Sequence, residues 1–191
     1  MKNIRVAIHK LNKNGVGEKV GFIIVQELPH VIRFDVNVHG IDTDGEHGFH
    51  IHEHGDLMPK VRPNGTTVPG GMAGQHWDPL GAGHHGHPNG NGHLGDLPKL
   101  KSKNGKIIQT VFQYRIPNLK SIVGKALIIH RFGDNYSDLP LPNGGGKSRM
   151  LGGIIESHCR YCVQSNPKKK SKRKKKGTRD SQGRFIPEKY L

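Results

Sequence analysis

Apolar and polar residues alternate over much of the chain. In residues 31–39, VIRFDVNVH, the apolar residues Ile32, Phe34, Val36 and Val38 are separated by polar ones. Successive side chains of a β-strand point to opposite faces of its sheet, so this period of two predicts a strand with one buried face. Further stretches typical of strands cover residues 4–11, 19–27, 107–116, 124–132 and 149–156.

Turn-forming residues separate these stretches. The chain contains 27 glycines and 12 prolines, and no stretch has the periodicity of an amphipathic helix. Short strands joined by glycine-rich turns favour an all-β sandwich or barrel. No stretch approaches the run of about 18 apolar residues that a membrane span needs, so no membrane contact is expected.

Two long segments, residues 54–100 and 133–148, break the alternation. A compact domain seldom keeps an unstructured loop of about forty residues unless the loop has a function or is held internally. The two cysteines, Cys159 and Cys162, lie near the C-terminal end and cannot cross-link the body of the chain. We therefore expect packing, a bound metal ion, or both to hold these loops.

Histidines are concentrated in one part of the chain, because nine of the 14 lie between His47 and His93. His50 and His52 are alternate residues, so on a strand both would face one ion. Further candidate ligands are His76, His84, His85, His87, His93, Asp96 and His130. Imidazole suits copper and zinc, and three imidazoles with a carboxylate suit tetrahedral zinc. A loosely metal-binding histidine-rich loop is the alternative interpretation.

Four segments resemble the copper/zinc superoxide dismutase family. They are HGFHIHEHGD (47–56), AGQHWDPLGAGHHGHPNGNGHLGD (73–96), LIIHRFGD (127–134) and KSRMLGGIIE (147–156). The resemblance covers roughly residues 2–157. It implies a Greek-key β-sandwich or flattened barrel with two long functional loops, copper and zinc as cofactors, and superoxide as the substrate.

The same resemblance implies a role for each matching residue. The implied copper ligands are His50, His52, His76 and His130, and the implied zinc ligands are His76, His84, His93 and Asp96. His76 would bridge the two ions and carry a proton, and Arg149 would attract the superoxide anion. Asp134 would orient histidines on both sides, and His47 would have a structural role.

Three histidines of the matching segments have no implied metal role. His85 and His87 are not explained by the resemblance and are expected to be solvated loop residues, since exposed histidines are common. His54 stands where the family usually has an aromatic residue, and it is expected at the surface or at an interface.

The chain departs from the family at the positions of the usual disulfide. The resemblance places these positions at about Gly70 and Gly152, and neither is a cysteine. The segment 56–76 also looks longer than is usual. Removing a native disulfide typically costs about 2–5 kcal/mol, so other contacts or the metal ions must stabilise this loop.

The composition changes at the C-terminal end. Residues 167–191 hold 11 Lys and Arg against 2 Asp and Glu, which is a large share of the formal charge of +15. We expect a domain at residues 1–158 and a basic, disordered tail at 159–191. The run 167–179 could bind nucleic acid or another polyanion, address the protein to the nucleus, or only add solubility. A basic tail is unusual for the family, and a viral source is one explanation for it.

The sequence thus predicts a superoxide dismutase that cycles a bound copper ion, with zinc in a structural and tuning role. The rival interpretations are a metal buffer or decoy that keeps the fold, and a polyanion-binding protein that acts through its tail. Retention of all the implied ligands and of Arg149 favours the enzyme. The resemblance also implies a homodimer, and the absence of a signal-peptide pattern predicts an intracellular protein, cytoplasmic or associated with the nucleus or a virion.

Overall fold

The computed structural model describes residues 3–157 and, for the backbone alone, Gly177–Arg179 and Phe185–Pro187. The strands of these ranges are β1 Asn3–Asn12, β2 Gly15–Leu28, β3 Val31–His39, β4 Gly45–His47, β5 Phe49–His52, β6 Lys60–Val61, β7 Thr67–Val68, β8 Leu100–Ser102, β9 Lys106–Gln113, β10 Ala126–His130, β11 Arg149–Ile154, β12 Gly177–Arg179 and β13 Phe185–Pro187. Short 3-10 turns lie at Gly71–Ala73, Leu119–Ile122 and Asn143–Gly145. The described part of the chain contains no α-helix and therefore no helix long and apolar enough to cross a membrane.

Seven strands form one antiparallel sheet in the order β5–β10–β11–β1–β2–β3–β9. The connections from β3 to β5 and from β9 to β10 cross between the two ends of this sheet, as in a Greek key. Phe34 of β3 and Phe49 of β5 pack edge to face with ring centroids 5.8 Å apart. Because four strands separate β3 from β5 in the sheet, this contact requires the sheet to curl around its core.

The alternation read from the sequence sets which residues enter that core. In β3, Ile32, Phe34, Val36 and Val38 are all buried. Their polar neighbours face outward, as the hydrophobic effect requires. The six strands expected from the pattern are confirmed as β1, β2, β3, β9, β10 and β11, and the all-β fold is confirmed with them.

A second, smaller apolar cluster lies on the outer face of the sheet. Its buried members are Leu11, Leu57, Ala73, Ala126 and Ile128. Leu11 is out of phase with the core residues of β1, and Ala126 and Ile128 are out of phase with those of β10. These side chains therefore point away from the main core, toward the long connection between β5 and β8.

The connection between β5 and β8 is tied to β5 by backbone hydrogen bonds. Ile51 N–H donates to Gly95 O at 2.8 Å, and Trp77 N–H donates to Ile51 O at 2.8 Å. Closer to the end of β5, His54 N–H donates to Ala73 O at 3.0 Å. This long connection is thus folded against the outer edge of β5 at both of its halves.

The chain divides into two compact units, Met1–His158 and Cys159–Leu191. In the second unit, the backbones of β12 and β13 pair as antiparallel strands. Cys159, Cys162 and residues 167–176 of the basic run lie outside the described residues. The expectations about these residues stay predictions.

Candidate metal centre

Strand β5 carries two kinds of side chain on its two faces. Phe49 and Ile51 belong to the main core, whereas His50 and His52 face the other side, beneath the long connections. All four are at most 1% exposed. His130 ends the neighbouring strand β10, whose Ile128 pairs with His50. The alternation of β5 therefore brings two imidazoles to one buried spot beside a third.

The first group of potential ligands consists of His50, His52, His76 and His130. One ring nitrogen of each histidine lies within 4.8 Å of a ring nitrogen of each of the other three. His50 Nδ1, His52 Nε2 and His130 Nε2 are buried and have no hydrogen-bond partner. Buried polar atoms without a hydrogen-bond partner are rare in folded proteins. Three such nitrogens that converge on one point are therefore expected to bind an ion.

Hydrogen bonds to the opposite ring nitrogens orient these imidazoles. His50 Nε2–H donates to Asp134 Oδ2 at 2.7 Å. His52 Nδ1–H donates to Gly74 O at 3.1 Å, and His130 Nδ1–H donates to Lys147 O at 3.2 Å. Each ring then presents the lone pair of its unpartnered nitrogen to the centre of the group. The donor set fits copper.

The second group converges on a carboxylate oxygen, Asp96 Oδ1. The Nδ1 atoms of His76, His85 and His93 lie 2.9, 3.0 and 3.5 Å from it. Zinc with bonds of about 2.0–2.1 Å in a tetrahedron would hold its ligand atoms roughly 3.3 Å apart, close to these distances. Three imidazoles and one carboxylate fit zinc. The ligand atoms that lie within 4.8 Å of one another here belong to His50, His76, His85 and Asp96, so His76 takes part in both groups, and His93 lies next to Asp96.

The structure does not place His84 in this second group, which corrects the expectation from the sequence. His84 is exposed, and its ring bonds to Ala82 O at 2.8 Å and to Asn91 Oδ1 at 3.2 Å. His85 was expected to be solvated, but it is only 3% exposed and lies between Asp96 and Asp134. The two histidines are adjacent in an aperiodic segment, so spacing along the chain could not separate them.

The other histidines lie where the sequence placed them or close to it. His54 and His87 are exposed, and the His87 ring packs against Tyr136 at 5.0 Å. His47 is buried, with Nδ1 3.0 Å from His130 O and Nε2 2.9 Å from Ser102 Oγ. His47 thus ties β4 to the end of β10 and to β8.

Asp134 connects the two groups. Its Oδ2 accepts from His50, and its Oδ1 accepts from His85 Nε2–H at 2.8 Å and from Tyr136 N–H at 2.7 Å. Gly144 comes so close, at a φ of 70°, that a Cβ there would overlap Asp134 Oδ1. The second long connection is therefore folded tightly around this carboxylate.

Burial and neighbouring charge set the protonation of the centre. Burial, followed by repulsion from neighbouring histidines, holds the pKa values of His52 and His130 well below 6.5. Burial and the nearby His50 lower the pKa of His76 to about 3, although Asp96 opposes this. These imidazoles are neutral at pH 7, so a metal ion would not have to displace protons from them.

The carboxylates have the opposite balance. Burial acts to raise the pKa of Asp96 and of Asp134, but hydrogen bonds from His76 and His85 to Asp96, and from His50 and His85 to Asp134, hold both pKa values well below 3.8. Burial acts to lower the pKa of His85, and the two carboxylates outweigh it and raise that pKa to about 9. Without a metal ion, Asp96 and Asp134 are therefore anionic at pH 7, and His85 between them is cationic.

Arg149 begins β11 next to the first group. Its Nη1–H and Nη2–H donate to Gly70 O and Gly74 O, each at 2.5 Å. Gly74 O also accepts from His52, so the guanidinium and this imidazole share one carbonyl. Burial, and then the charge of Arg62, lower the pKa of Arg149 to about 10, which leaves it cationic at pH 7.

Comparison with known proteins agrees with this geometry. A family model described as "Copper/zinc superoxide dismutase (SODC)" matches residues 19–155. The Cu-Zn superoxide dismutase of Brucella abortus is 40% identical over 152 residues, which cover 79% of this chain and 87% of that protein. Superoxide dismutase [Cu-Zn] 1 of Salmonella typhimurium is 41% identical over 155 residues, which cover 80% of this chain and 86% of that protein.

Solved structures give the same result. The Cu/Zn superoxide dismutase from Brucella abortus superposes with a TM-score of 0.78 at 39% identity, covering 81% of this chain and all of that one. The solution structure of the monomeric copper, zinc superoxide dismutase from Salmonella enterica gives 0.72 at 38% identity, also covering 81% of this chain and all of that one. The protein described here therefore belongs to the copper/zinc superoxide dismutase family.

Proposed function

We propose that His50, His52, His76 and His130 hold the copper ion with which this superoxide dismutase works. The observation that carries the proposal is the convergence of three unpartnered, buried nitrogens, His50 Nδ1, His52 Nε2 and His130 Nε2. Bound copper supplies a one-electron cycle in which one superoxide is oxidised to oxygen and a second, with two protons, is reduced to hydrogen peroxide. The chain has to hold the ion, admit the anion and deliver protons.

We propose His76, His85, His93 and Asp96 as the zinc ligands, with His85 in the place first expected for His84. The support is the convergence of three Nδ1 atoms on Asp96 Oδ1. Zinc has no redox chemistry in proteins, so its part is to hold the long connection in place and to tune the bridging ring of His76.

Arg149 is proposed to attract and orient the substrate. Superoxide carries one negative charge, and Arg149 is the partly exposed cation beside His52. Such a charge raises the local concentration of an anion, and it favours the same anion in a binding position. The hydrogen bonds to Gly70 and Gly74 leave the positive charge of the guanidinium uncompensated, since both acceptors are neutral carbonyls.

His76 and Asp134 have supporting roles in this proposal. The Nδ1 of His76 faces Asp96, so its other ring nitrogen is directed to the first group, where it can hold or release a proton during the cycle. Asp134 fixes the rings of His50 and His85 by hydrogen bonds at 2.7 and 2.8 Å. Carboxylates in this position commonly set both the orientation and the basicity of ligating histidines.

The activity is tested by superoxide consumption of the purified protein with its metal content measured. We expect fast turnover that rises in proportion to bound copper and is lost in His130→Ala, because that change removes one of the unpartnered nitrogens. His87→Ala is the matched control, since His87 is exposed, and it should keep the wild-type rate. Full copper occupancy without turnover would favour the metal-buffer or decoy interpretation instead.

The zinc assignment is tested by comparing two adjacent substitutions. Replacing a residue that only hydrogen-bonds to a metal ligand typically weakens metal affinity about 10–100-fold. We expect His85→Ala to weaken zinc affinity by more than this, because it removes a ligand. His84→Ala should leave the affinity unchanged, because its ring faces Asn91 and the solvent. Competition with a chromophoric chelator measures both. If His84→Ala lowered the zinc affinity and His85→Ala did not, His84 would be the zinc ligand, as first expected from the sequence.

We propose that the basic run 167–179 binds nucleic acid or another polyanion. Its support is the density of Lys and Arg in the sequence, so binding should be independent of nucleotide sequence and should weaken steeply with salt. The measurement is DNA binding at low and high salt by the full chain and by a chain that ends at residue 166. Equal binding by the shortened chain would refute the proposal. An intracellular location, with nuclear or virion association through this run, stays a prediction.

A homodimer, as the family resemblance implies, is the proposed assembly. The Salmonella enterica relative is described as monomeric, so relatives of this chain do not share one subunit arrangement. Sedimentation velocity of the metal-loaded protein over a range of concentrations distinguishes a homodimer from a monomer. A single species with the mass of one chain at every concentration would refute the dimer.

A further inference from the structure

Gly70 and Gly152 both lie against the side chain of Leu11. A Cβ at Gly70 would lie 2.8 Å from Leu11 Cδ1, and a Cβ at Gly152 would lie 3.1 Å from the same carbon, beside Ile128 Cδ1 and Leu57 Cδ2 at 3.0 Å. A methyl group of Leu11 therefore occupies the space between the long connection and β11. The family resemblance implies a disulfide at about these two positions, and neither residue is a cysteine.

Leu11 reaches this gap because of its place in β1. It is out of phase with Val6 and Ile8, which enter the main core, so it points to the outer face of the sheet. There it is only 7% exposed and packs in the cluster that includes Leu57 and Ala73. The absence of a side chain at Gly152 leaves room for Leu11 together with Ile128 and Leu57.

The segment held by this cluster also holds the guanidinium of Arg149. Gly70 and Gly74 flank the short 3-10 turn Gly71–Ala73, and Ala73 is fully buried in the cluster. The carbonyls of Gly70 and Gly74 are the two acceptors of Arg149. A shift of this turn away from β1 would therefore move both acceptors and release the guanidinium.

We propose that Leu11 is a positioning residue for Arg149, acting as an apolar wedge in the place of a cross-link. It acts through the turn Gly71–Ala73 and does not touch the substrate itself. An apolar contact does not depend on the oxidation state of thiols, so the position of Arg149 is the same under reducing and oxidising conditions. The inference rests on the role of Arg149 given under the proposed function.

The test is a double-mutant cycle of Leu11→Ala and Arg149→Ala in the metal-loaded full chain. We expect Leu11→Ala to lower kcat/KM about tenfold with copper and zinc content unchanged, since small misplacements of a catalytic group have effects of this order or larger. In the Arg149→Ala background the same change should have little further effect, because the group it positions is already gone. If the fold-loss of kcat/KM in the double variant equalled the product of the two single losses, the two residues would act independently and the inference would be overturned.

Matched variants separate positioning from general stability. Leu119→Ala removes the same atoms from the main core, where Leu119 is 4% exposed, so it should lower Tm while keeping kcat/KM. Leu11→Met refills the gap with an apolar chain of similar volume and should restore the rate. A Leu119→Ala protein as slow as Leu11→Ala would show that the loss is unspecific and would refute the inference.

A readout other than turnover follows the anion site directly. Azide binding to the copper-loaded protein, measured by absorption titration, should weaken in Leu11→Ala and in Arg149→Ala and should be unchanged in Leu119→Ala. Wild-type azide affinity in Leu11→Ala would contradict the inference. An inactive wild-type protein would instead contradict the proposed function, so the two failures are distinguishable.

Discussion

The buried carboxylate of Asp134 is the contact on which the metal centre depends. It accepts hydrogen bonds from His50 on the sheet and from His85 on the long connection, at 2.7 and 2.8 Å. Such a charge is stable away from water only when it is fully paired and hydrogen-bonded. Once Asp134 is in place, both rings are oriented and the two groups of ligands are held at a fixed distance.

The outer face of the sheet provides the frame for this contact. On β5 the residues Phe49 and Ile51 complete the core, which leaves His50 and His52 facing the connections. A rigid strand gives these imidazoles more precise positions than a loop could, because the neighbouring strand fixes its backbone. The loop residues then need only to close over a surface that is already formed.

The distribution of charge in the centre suits two cations and an anionic substrate. Asp96 supplies negative charge among the proposed zinc ligands and Asp134 supplies it between the two groups, whereas His52 and His130 are neutral and buried. Arg149 lies on the other side, beside the proposed copper ion, and remains cationic. The charge of Arg149 therefore favours a small anion on the copper side.

In the proposed arrangement, apolar packing near Arg149 does the work of the cross-link that the family resemblance implies. The turn Gly71–Ala73 is packed against the sheet through the apolar contacts of Leu11, Leu57 and Ala73. Burial of an apolar side chain contributes about 1.5–3 kcal/mol, which is comparable with the 2–5 kcal/mol typically lost with a disulfide. Dense packing of this kind is also stiff, so it can hold the acceptors of Arg149 as well as stabilise the fold.

The alternation along the chain is enough to predict the main strands and the shared face of His50 and His52, because it sets the face on which each strand residue lies. His50 and His52 follow directly from this rule, and His130 ends a strand that the pattern predicts. That His85 is buried and His84 exposed is visible only in the folded chain. In a segment without periodicity, the direction of a side chain is set by its partners, and the partners of His85 are Asp96 and Asp134, far from it along the chain.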